Sequence, residues 1–263
     1  FDISIDNPMK EQFLSEVEDL IEKKDWIMGE DVLNFEQNFK NFVSSKFCVS
    51  VNSGTDALEL SLKALGVKSG DKVIVPSFSF FATSEAVLKI GAIPIYCDIN
   101  RKNLNIDVKR LNNKVDKKTK SIIPVHLFGN PANLEEIIAF AEKYDLSIIE
   151  DVAQAFGSKL DNKYLGTFGD VGCFSFYPTK NLGGFGDGGC VVTNNQEIAE
   201  KIDYLRNHGQ TKKYYHEFVG YNSRLDNIQA KILNLKLKNI KKDLKIKIEH
   251  SKTYSKYFEE NQD

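Results

Sequence analysis

Apolar positions in the first fifty residues fall at helical spacing. Phe13, Val17, Leu20 and Ile21 share one face, and Phe35, Phe39 and Phe42 share another, so the pattern predicts two covering helices. A third helix is predicted over 56–65, where Leu58, Leu62 and Leu65 align and Ser53 or Thr55 can cap the first turn. Apolar runs of strand length follow at 72–75, 93–97, 121–125, 146–149, 171–176 and 189–193. Between two of them Leu134, Ile137, Ile138 and Ala141 stand at i, i+3, i+4 and i+7. This β-α-β-α order predicts an α/β fold with a largely parallel, helix-covered sheet, whose ligands would sit at the carboxyl ends of strands. From 225 to about 256 the chain turns into a long Lys-rich helical pattern with Ile228, Ile232, Leu235, Ile240, Leu244 and Ile248 as apolar members. Its lysines are expected on the solvated face.

Composition narrows the class of partner. With 41% hydrophobic residues the chain can bury a sizeable core, and a formal net charge of -2 gives no electrostatic reason to expect nucleic acid or an anionic membrane. No segment approaches about 18 consecutive apolar residues. The start, Phe1-Asp2-Ile3-Ser4-Ile5-Asp6, lacks the basic and apolar parts of a signal peptide, so a cytoplasmic location is expected. Cys48, Cys97, Cys173 and Cys190 are scattered, with no CxxC pair and no His at ligand spacing; they read as buried thiols, and no metal is expected.

Four local features carry chemistry. Glu150-Asp151 puts a carboxylate at the end of the 146–149 strand, where a loop anchor is the plainer reading. Phe174-Ser175-Phe176-Tyr177-Pro178-Thr179-Lys180-Asn181 is a strand running into a Pro-fixed turn that presents a lysine. A lysine there is usually a surface charge, but one among aromatics and glycines can keep the neutral amine that Schiff-base chemistry needs. Gly183-Gly184-Phe185-Gly186-Asp187-Gly188-Gly189 contains a literal G-x-G-x-x-G, yet the glycines precede a strand and no acid stands about 20 residues on, so a dinucleotide site is disfavoured. They are expected instead to let the backbone turn sharply and lie against a bulky ligand. Ser53-Gly54-Thr55 opens a helix, where free N–H groups and a hydroxyl can receive a phosphate or simply form a cap.

Seven blocks in one order then resemble the DegT/DnrJ/StrS family of sugar aminotransferases, a branch of the fold-type I pyridoxal-phosphate (PLP) enzymes. They are Trp26-Ile27-Met28-Gly29, Ser53-Gly54-Thr55-Asp56-Ala57-Leu58, Gly70-Asp71-Lys72-Val73-Ile74-Val75-Pro76, Val125-His126-Leu127-Phe128-Gly129, Glu150-Asp151-Val152-Ala153-Gln154-Ala155, Ser175-Phe176-Tyr177-Pro178-Thr179-Lys180-Asn181 and Gly220-Tyr221-Asn222-Ser223-Arg224-Leu225-Asp226. The resemblance implies a large PLP-binding domain over 1–224, with a mostly parallel central sheet, and a long helix over 225–263 that starts a small, here incomplete, carboxyl-terminal domain. It makes Lys180 the Schiff-base lysine and Asp151 the partner of the pyridine nitrogen. Gln154 falls near the phenolic oxygen and Phe80 on the ring face. Thr55, Ser175 and the backbone of Gly54 to Asp56 fall at the phosphate. Asn222 would reach the phosphate in the neighbouring subunit, which implies a homodimer with shared sites; its plainer reading is a helix cap. Phe156 stands where the family most often has His.

The activity so implied is transfer of an amino group from an amino acid, L-glutamate in the leading reading, to a nucleotide-linked keto sugar, with pyridoxamine phosphate as the intermediate cofactor form. The Tyr177 to Gly183 string with Gly186-Asp187-Gly188-Gly189 resembles members acting on 3-keto sugars; a 4-aminotransferase is the alternative. The related dehydratases carry His in place of the lysine, whereas Lys180 is present. A PLP-binding regulator without turnover is the rival from another class, since fold does not fix function. The nucleotide is not legible.

Overall fold

The computed structural model describes residues 6–261, so the stretch 1–5 of the amino-terminal reading lies outside it. α1 (Asn7–Lys23) starts on an Asp6 cap that accepts from the Met9 N–H and ends in a left-handed Lys24. α2 (Glu30–Val43) buries Val32, Phe35, Phe39 and Val43, as the aromatic spacing requires. The order then runs β1 (Phe47–Val51), α3 (Gly54–Ala64), β2 (Lys72–Pro76), α4 (Ala82–Lys89), β3 (Ile93–Cys97), β4 (Thr119–Ile122), α5 (Leu134–Tyr144) and β5 (Ser147–Asp151). A small hairpin, β6 (Lys159–Leu160) with β7 (Lys163–Tyr164), precedes β8 (Val171–Ser175) and β9 (Gly189–Thr193). α6 (Gln196–Arg206), a second hairpin of β10 (Gln210–Lys212) and β11 (Tyr215–His216), and α7 (Asn227–Glu260) complete it.

Seven strands form one sheet in the order β1-β9-β8-β5-β4-β2-β3. The pairs among β3, β2, β4, β5 and β8 are parallel, while β9 runs antiparallel to both its neighbours. The expected largely parallel sheet is therefore present. β9 is the exception because β8 reaches it through the glycine turn without a crossover helix. β1 carries no strand expectation from the sequence: Cys48 and Ser50 dilute its apolar signal, although Cys48 to Val51 are all buried. The run read as a strand over 121–125 ends at Ile122, since Pro124 has no N–H for the ladder; Val125 keeps a lone bridge to Asp151.

α3 is buried along most of its length against the sheet, and α2 packs on the other face with Phe35, Phe39, Phe156, Phe174 and Phe176 in one aromatic cluster. Phe156 lies between Phe39 and Phe42, so a hydrophobic partner set surrounds the position. All four cysteines are buried and free. Two expectations for α7 need correction. Ile228 and Ile248 are exposed, and Lys231 is buried in a cluster with Glu16, Asp19 and Asp31, tying α7 to α1 and α2. The real seam is Ala230, Ile232, Leu233, Leu235, Leu237 and Ile240.

Candidate active site

The chain leaves five strands at the same edge of the sheet, and there a cavity of about 500 Å3 opens. β1 delivers Ser53, Gly54 and Thr55; the turn after β2 delivers Ser79, Phe80 and Thr83; β5 ends on Asp151; β8 ends on Ser175; and the following turns bring Tyr177, Lys180 and Asp187. Gln154 and Ala153 close the side. Of the residues the resemblance singles out, Gly54, Thr55, Phe80, Asp151, Gln154, Ser175 and Lys180 meet in this one space. Asp56 and Asn222 do not line it.

Asp151 is 5% exposed, and its carboxylate accepts from the Ala153 N–H at 3.1 Å and the Thr83 hydroxyl at 2.9 Å. Burial pushes its carboxyl above the ordinary value, against the pull of those two donors. Thr83 Oγ1 stands 3.0 Å from Ser79 Oγ. An ionised Asp151 can only accept, so Thr83 donates to it and takes a proton donor from Ser79. Its neighbour Glu150 is of another kind. That carboxylate accepts from the N–H groups of Gly166, Phe168 and Gly169 and from His126 Nε2, while His126 Nδ1 accepts from the Ala132 N–H. His126 is thereby fixed as the neutral Nε2–H tautomer, and Glu150 is saturated inside the fold. Of two adjacent acids, one anchors a loop and one faces the cavity.

Lys180 is half-buried at the end of a turn closed by its own N–H on the Tyr177 carbonyl, 2.8 Å away. Burial holds its amine below the ordinary lysine value, opposed by the Asp151 charge. A lowered value enlarges the neutral, nucleophilic fraction. Gln154 Oε1 accepts from the Phe128 N–H at 3.1 Å, which leaves the amide nitrogen to donate into the cavity. Phe80 is 71% exposed and open for stacking.

At the α3 start Ser53 caps the helix, its hydroxyl accepting from the Asp56 N–H, and the Asp56 carboxylate accepts from Ser223. Asp56 is thus committed within the fold, and Gly54 and Thr55 keep first-turn N–H groups with no helical acceptor. A Cβ on Gly54 would stand 2.6 Å from the Ser175 Cβ, and one on Gly189 would stand 2.4 Å from the Ser53 carbonyl oxygen. The glycine-rich stretch therefore serves close packing of protein on protein, which corrects the expectation of a glycine wall against a ligand: Gly184 and Gly186 lie on Gln229, and Gly188 on Leu225 and Phe176. Asn222 pairs with Asn207 in an isolated bridge and is exposed. It is not the cap of α7, a position Asp226 holds.

A half-buried amine of lowered pKa, a buried carboxylate without a basic hydrogen-bond partner among the described residues, an exposed aromatic face and a helix start rimmed by Thr55 and Ser175 fit a phosphorylated pyridine aldehyde. No group of metal-binding residues occurs among the described residues. Ser79, Thr83 and Asp187 were missed from sequence. Thr83 in a helix first turn gives no signal of its own, since its partner is 68 positions away.

Sheet order and site together define the large domain of a fold-type I PLP enzyme. The chain belongs to the DegT/DnrJ/EryC1/StrS aminotransferase family, whose family model matches residues 7–263. It is 42% identical over 226 residues to a UDP-N-acetyl-3-dehydro-alpha-D-glucosamine 3-aminotransferase of Acidithiobacillus ferrooxidans, covering 86% of this chain and 61% of that protein. It is 40% identical over 252 residues to a protein of Geobacillus stearothermophilus named a pleiotropic regulatory protein, covering 96% and 68%. A DegT DnrJ EryC1 StrS aminotransferase from Brucella abortus superposes with a TM-score of 0.92 at 34% identity, over 96% of this chain and 70% of that one. The chain thus spans roughly two thirds of the length of these relatives.

Proposed function

We propose that the protein is a PLP-dependent aminotransferase that moves an amino group from an amino acid, L-glutamate first among them, to a nucleotide-linked keto sugar, and that it works as a homodimer in the cytoplasm. The convergence of Asp151 and Lys180 on one cavity carries the reading: an acid that holds a ring nitrogen's positive charge, and an amine that binds the aldehyde. PLP, when bound, supplies the electron sink for the charge that develops at the substrate carbon. Asp151 keeps the ring nitrogen protonated. Lys180 takes a proton from the donor's α-carbon and returns one to the acceptor. Thr55, Ser175 and the N–H groups of Gly54 and Thr55 anchor the phosphate, Gln154 donates toward the phenolic oxygen, and Phe80 excludes water from one ring face. In this reading residues 1–224 form the PLP-binding domain and 225–263 begin the small one.

A 3-keto acceptor is supported by the Tyr177 to Gly183 string and by the name of the Acidithiobacillus relative. The regulatory reading, favoured by the name of the Geobacillus relative, differs in outcome. L-Glutamate added to the PLP-loaded protein should shift its absorbance to that of the pyridoxamine form, and nucleotide-linked 3-keto sugars should reverse the shift faster than 4-keto sugars. Lys180→Ala should abolish both changes. An unchanged spectrum in the wild type would favour the regulator, and full turnover by Lys180→Ala would remove Lys180 from the mechanism.

A further inference from the structure

Lys180 stands between two chambers. Ala153, Gln154, Thr179 and Lys180 line the cofactor cavity and also a second, larger one of about 930 Å3, walled by Phe128, Ser158, Lys159, Asn181 and, on α7, Leu244, Lys247 and Ser251. The two differ in charge. The first contains Asp151 and Asp187, while the second is lined by Lys159, Lys180 and Lys247 with no acidic residue, in a chain whose formal net charge is -2. A local excess of three cations without a carboxylate is not what that near-balanced composition gives by default, and it selects for an anion.

The wall is built by the fold. Gly157 adopts a φ of +90°, and a Cβ there would stand 2.4 Å from Leu244 Cδ1, so the bare backbone lets α7 come down onto the turn after Gln154. That approach brings Lys247 to the chamber. Its ammonium donates to Asn181 Oδ1 at 2.9 Å, and Asn181, adjacent to Lys180 in the chain, is held in turn by its own donation to the Phe156 carbonyl. Lys159 leans over the Tyr164 ring at 4.2 Å, which places its charge without pairing it to an acid.

We infer that the second chamber receives the diphosphate of a nucleoside diphosphate sugar, with Lys159 and Lys247 facing the phosphates and the sugar carbonyl directed to Lys180. This rests on the proposed aminotransferase reading and adds the place of the substrate's charge. Both lysines are exposed, so each contributes modestly and screening salt weakens the sum.

The test measures binding of UDP, dTDP and GDP, each beside its parent nucleoside, to the PLP-loaded protein by calorimetry at two salt concentrations. Lys159→Gln and Lys247→Gln should each weaken the diphosphate that binds best by about threefold, and the double variant by about tenfold. Lys247→Glu should weaken it further, the parent nucleoside should be insensitive, and the wild-type affinity should fall with salt. Retained cofactor absorbance shows that the variants fold. Equal affinity in wild type and double variant overturns the assignment, as does an equal loss for nucleoside and diphosphate. The glutamate-induced absorbance change in the wild type is read separately. If it occurs while the lysine variants bind normally, the aminotransferase stands and the diphosphate site falls; if it fails while binding tracks the lysines, the chamber stands and the transamination falls.

Discussion

Because Asp151 receives only one N–H and one hydroxyl in a site that excludes water, burial outweighs hydrogen bonding and its folded pKa lies above its unfolded one. For a carboxyl this sign means that the group's contribution to stability is present at low pH and lost as the pH rises through the folded value. In cofactor-free protein, Asp151→Asn should therefore gain thermal stability relative to wild type as the pH climbs from about 4 to about 8. A difference flat with pH would show that burial does not govern the group. In the loaded enzyme the same variant should lose about 100-fold or more in kcat while keeping most of its affinity for cofactor, since the phosphate contacts remain. Thr83→Val removes a donor to a charged acceptor, an interaction of about 1.5–3 kcal/mol, so kcat should fall about tenfold or more and Thr83→Ser should restore it. KM unchanged with kcat intact in Thr83→Val would reduce that hydroxyl to a packing role. Asp151 and Lys180 were legible in sequence through strand-end and turn motifs. Thr83 was not, because only the fold brings the start of α4 to the end of β5.

At the scale of elements, periodicity exposed what is half-buried and missed what is buried on all sides or held by charge. α1, α2, α3 and α5 were legible from one apolar face each, and six strands from short apolar runs, whereas β1 is short, buried and mixed with Cys and Ser. α7 shows the limit best. A lysine stripe reads as solvated surface, yet Lys231 has a side chain 5% exposed and donates to Glu16 at 2.9 Å with Asp31 at 3.3 Å. Asp31 is itself held above the ordinary carboxyl value by burial, against the pull of Lys231. Lys231→Met keeps the volume and strands that acid, so it should destabilise by about 1–3 kcal/mol in urea unfolding. The discount from a fully buried pair reflects the exposure of Glu16 and Asp19. Unchanged stability in Lys231→Met would mean that desolvation of the lysine already cancels its attraction to three acids.

For the whole molecule, the decisive residue is one that does nothing visible within its own chain. Asn222 is exposed, does not cap α7 and does not line the cavity of its own subunit. It follows a segment whose Tyr214, Tyr215, Phe218 and Val219 are exposed at 81%, 60%, 48% and 88%, an apolar run of the kind that a partner covers. A two-fold dimer in which Asn222 donates to the partner's cofactor phosphate accounts for both facts and makes each site depend on two chains. Binding and assembly are then linked by one coupling free energy: removing PLP should weaken the dimer, and dilution to monomer should release PLP. Subunit mixing separates this from a merely structural dimer. Lys180→Ala and Asn222→Ala each spoil both sites of their own homodimers. In the mixed dimer one site carries both defects and the other neither, so activity should rise above that of either parent, toward half the wild-type value per dimer that forms. If exchange is confirmed by mass and no activity returns, Asn222 serves its own subunit or none, and the shared site is lost from the reading while the roles of Asp151 and Lys180 stand.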